Sequence, residues 1–137
     1  MVGCRPKGEP ALSRKITIDT DPGQDDALAI LLALASPELE VLGITTVAGN
    51  VPLALTQANA RKVVELAGKS VPVMAGCDRP MVRPLQTAEH VHGKTGLDGA
   101  DLPEPSLPLD PRHGSTSLLT RCVRRRPAPS RSAPWAR

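Results

Sequence analysis

The sequence predicts an α/β fold, an open parallel sheet with a β-α-β-α-β start. Three observations predict it. Runs rich in β-branched residues alternate with runs of strong helix formers between residues 15 and 76. Chain breakers stand at the junctions: "PGQ" at 22–24, Pro37 and Gly68. The second β-like run is apolar almost throughout, as a central parallel strand is. Strands that alternate with helices imply parallel pairing through right-handed crossovers.

Each element follows from its own pattern. "KITIDTD" at 15–21 is a strand, with Ile16 and Ile18 on one face and Thr17, Asp19 and Asp21 on the other. "DDALAILLALAS" at 25–36 is a helix, and the helix dipole favours carboxylates such as Asp25 and Asp26 at its start. Its apolar run of nine residues, "ALAILLALA", is too short to span a bilayer. "LEVLGITTVAG" at 39–49 is the second strand. "PLALTQANARKVVELAG" at 52–68 is the second helix, with Gly68 as its C-terminal cap. "VPVMAG" at 71–76 is a short third strand. Prolines at 80, 84, 103, 105, 108 and 111 make 77–111 a loop-rich stretch, and 1–14 reads as a disordered leader.

Composition narrows the function classes. There is no Phe or Tyr and a single Trp, so the core rests on aliphatic side chains. The formal charge of +3 hides a split. Residues 1–111 hold all 14 acidic residues and 10 of the 17 Lys and Arg, a net of 10 − 14 = −4, while 112–137 hold seven Arg and no acid. The basic balance therefore belongs to the tail, and no specific nucleic-acid binding is expected. Three widely spaced cysteines, Cys4, Cys77 and Cys122, form neither a disulfide framework nor a zinc pattern and fit a reducing cytoplasm. The first residues lack the apolar segment of a signal peptide, and no membrane association is expected.

Ligands in open α/β sheets bind beyond the carboxyl ends of the strands. Three segments fall there: the acidic cluster, "AGN" at 48–50, and the loop that runs from "GCDRP" to "HVHGKTG". The cluster places Asp19, Asp21, Asp25 and Asp26 within eight residues. Helix capping alone accounts for Asp25 or Asp26 but poorly for the other two. A hard-cation site is a second reading, because oxygen ligands suit Ca²⁺ or Mg²⁺. A phosphoryl-transfer site with a strand-end Asp nucleophile is a third, weakened by Pro22 and Gly23 directly after Asp21. "GKT" at 93–95 lacks the earlier Gly of a phosphate-binding loop, since Ala88 stands there. His90 and His92 are also compatible with ordinary loop residues.

"DTDPGQDDALAILLAL", "VLGITTVAGN", "NARKVVELAG", "VPVMAGCDRPMVRP" and "HVHGKTGLDGADLP", in that order, resemble the N-terminal part of the inosine–uridine-preferring nucleoside hydrolases. The resemblance covers residues 15–111. It implies a calcium-dependent enzyme that splits a ribonucleoside into base and ribose, with a nucleoside as substrate and a homo-oligomer as the full-length state. Carried over by position, Asp21 and Asp26 resemble calcium ligands. Asp25 resembles the general base that activates a calcium-bound water. Asn50 resembles a ribose-binding side chain, His92 a residue beside the sugar, and Asp19 a supporting carboxylate.

Family members are about twice this length or more, and the segment that supplies further calcium and sugar ligands has no counterpart here. Residues 112–137 carry an abrupt Arg, Pro and Ser composition with no helical or strand period. A shifted reading frame would produce such a tail, and a genuine basic tail is the alternative. The expectation is a family member that is inactive as this chain alone. The alternative is a non-catalytic fragment acting at most as a cation-binding or interaction module.

Overall fold

The computed structural model describes residues 13–124. The leader expected at 1–14 and the last part of the tail, 125–137, therefore lie almost wholly outside the described residues.

Three strands form one sheet in the order β1-β2-β3: β1 is Arg14–Thr20, β2 Leu39–Thr46 and β3 Val73–Ala75. Both pairings are parallel. The helices α1, Gln24–Ala35, and α2, Leu53–Leu66, supply the two crossovers. The expected architecture is thus present, with β2 in the middle. The β1–β2 register shifts between Ile16 and Ile18, and beyond it Ile18 pairs with Ile44 and Thr20 with Thr46. That register decides which loops meet at the carboxyl end.

One face of the sheet packs under both helices. Ile30 of α1, Ala60, Val63 and Val64 of α2, and Ile44, Val71 and Val73 form the buried cluster, with Ile18 and Val41 against it. Burying an aliphatic side chain of this size contributes about 1.5–3 kcal/mol, so such a cluster offsets the missing aromatics. The α2 helix ends as its sequence indicates. Gly68 takes a φ of +62°, its N–H donates to the Glu65 carbonyl, and the Lys69 N–H reaches back to Val64. A left-handed residue past the last turn suits glycine because it has no Cβ to clash.

The loop-rich stretch wraps α2 rather than trailing away. Leu97 enters the core, Lys62 pairs with Glu104 at 2.8 Å, and Arg61 donates to the Leu107 carbonyl at 3.1 Å. It contains one short helix, α3, Glu89–His92, and returns to the sheet at a parallel bridge between Met74 and Asp110.

The start of the tail departs from expectation. Residues Gly114–Arg124 form a helix, α4, where no helical period was read. Gly114 is buried with Thr45 beside it, Ser117 is buried, and Arg121 donates to the Leu42 carbonyl at 3.0 Å. Gly114, Ser117, Leu118 and Arg121 follow the i, i+3, i+4, i+7 spacing of a helix face. Two of the four are small and one is charged, so the stripe does not register as apolar. Arg121 turns its guanidinium to a carbonyl of β2. Thr45 alternates with Ile44, which faces α1 and α2, so α4 covers the opposite face.

Candidate functional site

Four of the sequence-derived residues come from one strand-to-helix junction, and the sheet brings two more segments to it. After β1 the chain turns through Asp21, Pro22 and Gly23, and α1 begins at Gln24. Asp26 is the third residue of that helix, and its Oδ2 accepts the Gly23 N–H at 3.2 Å. This is the helix-start role that capping alone predicts. The same carboxylate does more. Its Oδ1 accepts the Thr20 hydroxyl at 2.6 Å and its Oδ2 accepts from Asn50 Nδ2 at 3.1 Å.

Asn50 joins the cluster across the sheet. Its backbone N–H donates to Asp21 Oδ2 at 2.8 Å, and its side-chain Nδ2 also donates to the Asp21 carbonyl at 2.9 Å. Asp21, Asp26 and Asn50 are therefore one hydrogen-bonded unit. Gly49 makes room for it, since a Cβ there would lie 2.1 Å from Asp21 Oδ2.

Asp25 points outward, with its side chain 77% exposed, and the His92 ring covers the turn with its side chain 15% exposed. His92 Nδ1 lies 3.9 Å from Asp25 Oδ1 and has no hydrogen-bond partner among the described residues. The ring sits so close to Gly23 that a Cβ there would come within 2.7 Å of Nδ1. The loop after His92 is pinned by Asp98, which accepts the Lys94 and Thr95 N–H groups and the Thr95 hydroxyl. The Thr95 hydroxyl, followed by these backbone bonds, lowers the Asp98 pKa from its ordinary value.

Asp21, Asp25, Asp26, Asn50 and His92 thus meet at the carboxyl end of the sheet. Asp19 is directed elsewhere, to the Thr45 hydroxyl at 2.5 Å. Support for Asp26 comes instead from Thr20, which sequence reading missed. Strand alternation was the available signal, since Thr20 shares a face with Ile18 and Asp19 does not. His90 is exposed on α3.

The Asp carboxylates and the Asn50 amide offer hard oxygen donors, which fit Ca²⁺ or Mg²⁺ in kind, and His92 adds a ring nitrogen beside them. It falls short in number. Among the described residues no group of three or more His, Cys, Asp or Glu side chains is disposed to hold a metal ion. No helix among them is long and apolar enough to cross a membrane. Cys77 and Cys122 are free and exposed.

A parallel α/β sheet with carboxylates gathered past its first strand and an Asn past its second defines a class of α/β proteins with a polar strand-end site. Comparison with known proteins narrows the class. The family model for inosine-uridine preferring nucleoside hydrolase matches residues 16–132, and the chain belongs to that family. The match runs past 111 into the segment read as unlike the family.

A protein of Schizosaccharomyces pombe is 59% identical over 106 residues, covering 77% of this chain and 34% of that protein. The inosine-uridine preferring nucleoside hydrolase of Crithidia fasciculata is 46% identical over 110 residues, covering 79% and 35%. Among solved structures, a purine-preferring ribonucleoside hydrolase from Gardnerella vaginalis superposes with a TM-score of 0.74 at 28% identity, covering 82% of this chain and 37% of that one. The chain spans about a third of the length of the curated relatives it matches.

Proposed function

We propose that this chain carries the carboxylate portion of a calcium-dependent ribonucleoside hydrolase site. The observation that supports this reading best is the unit formed by Asp21, Asp26 and Asn50, with exposed Asp25 beside it. Asp21 and Asp26 would hold the ion. A bound calcium ion supplies charge that orients ribose hydroxyls and makes water more acidic.

The remaining chemistry falls to the chain's own side chains. Hydrolysis adds water at the anomeric carbon while the base leaves with the bonding electron pair, and the sugar gains oxocarbenium character. Asp25 takes the proton of the attacking water, a role that its exposure permits. Both amide hydrogens of Asn50 are spent on Asp21 and Asp26, so its Oδ1 accepts from a ribose hydroxyl. His92 closes the sugar side and limits water access to Gly23.

A second reading is favoured by the span of about a third of the relatives. In it the chain alone binds a cation and turns nothing over. Calcium calorimetry and ribose release from inosine and uridine test both. Asp21→Asn weakens calcium binding in this chain, and Asp25→Asn leaves it intact. The chain alone releases little ribose. Extended with the remaining family segment it gains turnover, and Asp25→Asn then lowers turnover about 10²–10⁴-fold. Retained turnover in that variant removes Asp25 as the base. Full activity of the 137-residue chain overturns the incomplete-site reading.

A further inference from the structure

The Asp21–Gly23 turn and the loop after His92 belong to different parts of the chain, yet the site needs them together. One buried side chain that sequence reading passed over touches both. Asn59, on α2 and 3% exposed, donates from its Nδ2 to the Pro22 carbonyl at 3.1 Å and to the Thr95 carbonyl at 2.8 Å. Pro22 lies between Asp21 and Gly23, and Thr95 lies three residues after His92.

We propose that Asn59 is a positioning residue that clamps the acidic turn to the His92 loop and so sets His92 over Gly23 and Asp25. The proposal rests on the nucleoside-hydrolase reading for its functional meaning and on geometry for its content. A primary amide nitrogen has two hydrogens, and here each has its own carbonyl. An Asp in that place offers only lone pairs to two carbonyls, and a Leu offers nothing. Both substitutions leave the buried Pro22 carbonyl without a donor, which water does not readily replace, and free the part-buried Thr95 carbonyl from the turn. The parallel tie from Gln24 to the Asp98 carbonyl is solvent-exposed at 3.0 Å. Competition from water makes it weaker than the buried bond from Asn59 to the Pro22 carbonyl.

The test is NMR on the full chain. In the wild type, the Asn59 side-chain amide protons exchange about tenfold or more slowly than those of exposed Gln86, because exchange requires the clamp to open. A nuclear Overhauser contact joins a Gly23 Hα to the His92 ring. In Asn59→Leu that contact fades while contacts between Val63 and Ile44 in the core persist, which a merely structural role for Asn59 does not produce. An unchanged Gly23–His92 contact in Asn59→Leu overturns the proposal. Should Asn59→Leu not fold, the wild-type exchange decides: protons as labile as those of Gln86 overturn it, and protected ones support it. Calcium titration of the wild type keeps the two ideas apart. Failure to bind calcium with the clamp signatures intact removes the metal reading and leaves the clamp standing.

Discussion

Replacing Gly49 with Ala separates the site from the fold more cleanly than removing a carboxylate does. The added Cβ would stand 2.1 Å from Asp21 Oδ2 and 2.8 Å from its Cγ. Non-bonded carbon contacts settle near 3.5–4.0 Å, so the carboxylate must swing away by roughly an ångström or more. The bond from the Asn50 N–H to Asp21 Oδ2, 2.8 Å long, then breaks. A hydrogen bond to a charged group contributes about 1.5–3 kcal/mol. Asp21 is only half-buried, and water recovers part of that. Loss of glycine's freedom in the unfolded chain returns a further ~0.4–1 kcal/mol. The net cost is about 1 kcal/mol, a fall in Tm of roughly 3–5 °C for a chain between the small and mid-sized domain classes. On the proposed reading the effect on a bound cation is larger, because the Asp21 carboxylate leaves the unit that it forms with Asn50 and Asp26. Calcium affinity should fall about tenfold or more, equivalent to at least ~1.4 kcal/mol. Urea unfolding and calcium calorimetry on the same samples read the two effects, and the Asn50 amide shift reports the broken bond. An unmoved Asn50 amide together with wild-type calcium affinity would refute the reasoning.

Three other outcomes are expected. Thr20→Val removes the hydroxyl that donates to Asp26 at 2.6 Å and should cost about 1–2 kcal/mol in urea unfolding, with no cost if Asp26 is satisfied by its other donors. Arg121→Ala should destabilise by about 1 kcal/mol by freeing the Leu42 carbonyl, and a neutral result would mean that α4 contributes little to the sheet. The Arg112 side chain, followed by its backbone N–H, lowers the Asp110 pKa from 3.8 to about 2. A depressed carboxylate stabilises the fold above its unfolded value and loses that contribution as pH falls through the folded one. The pairing of Asp110 with Arg112 at the entry to α4 should therefore hold above pH 3.8 and fail toward pH 2. Circular dichroism and an Asp110→Asn control follow it, and identical acid transitions in both proteins would count against the pair.

The alternation of strands and helices was legible in the sequence because its causes are local. β-branched runs, helix formers, Pro37 and Gly68 act over a few residues and need no partner to be read. The acidic crowding at the first strand-to-helix junction was legible for the same reason. The tertiary structure decided what those groups bind. Thr20, Asn50 and Asn59 lie on separate elements, and only the register that pairs Ile18 with Ile44 brings the loop after β2 to the turn after β1. It also decided that Gly114–Arg124 is a helix on the sheet, since Gly114, Ser117 and Arg121 gain an inward face only when Thr45 and the Leu42 carbonyl are there to meet them. Propensity is a property of a segment, whereas a hydrogen bond between distant residues exists only once folding has met the entropy of bringing them together.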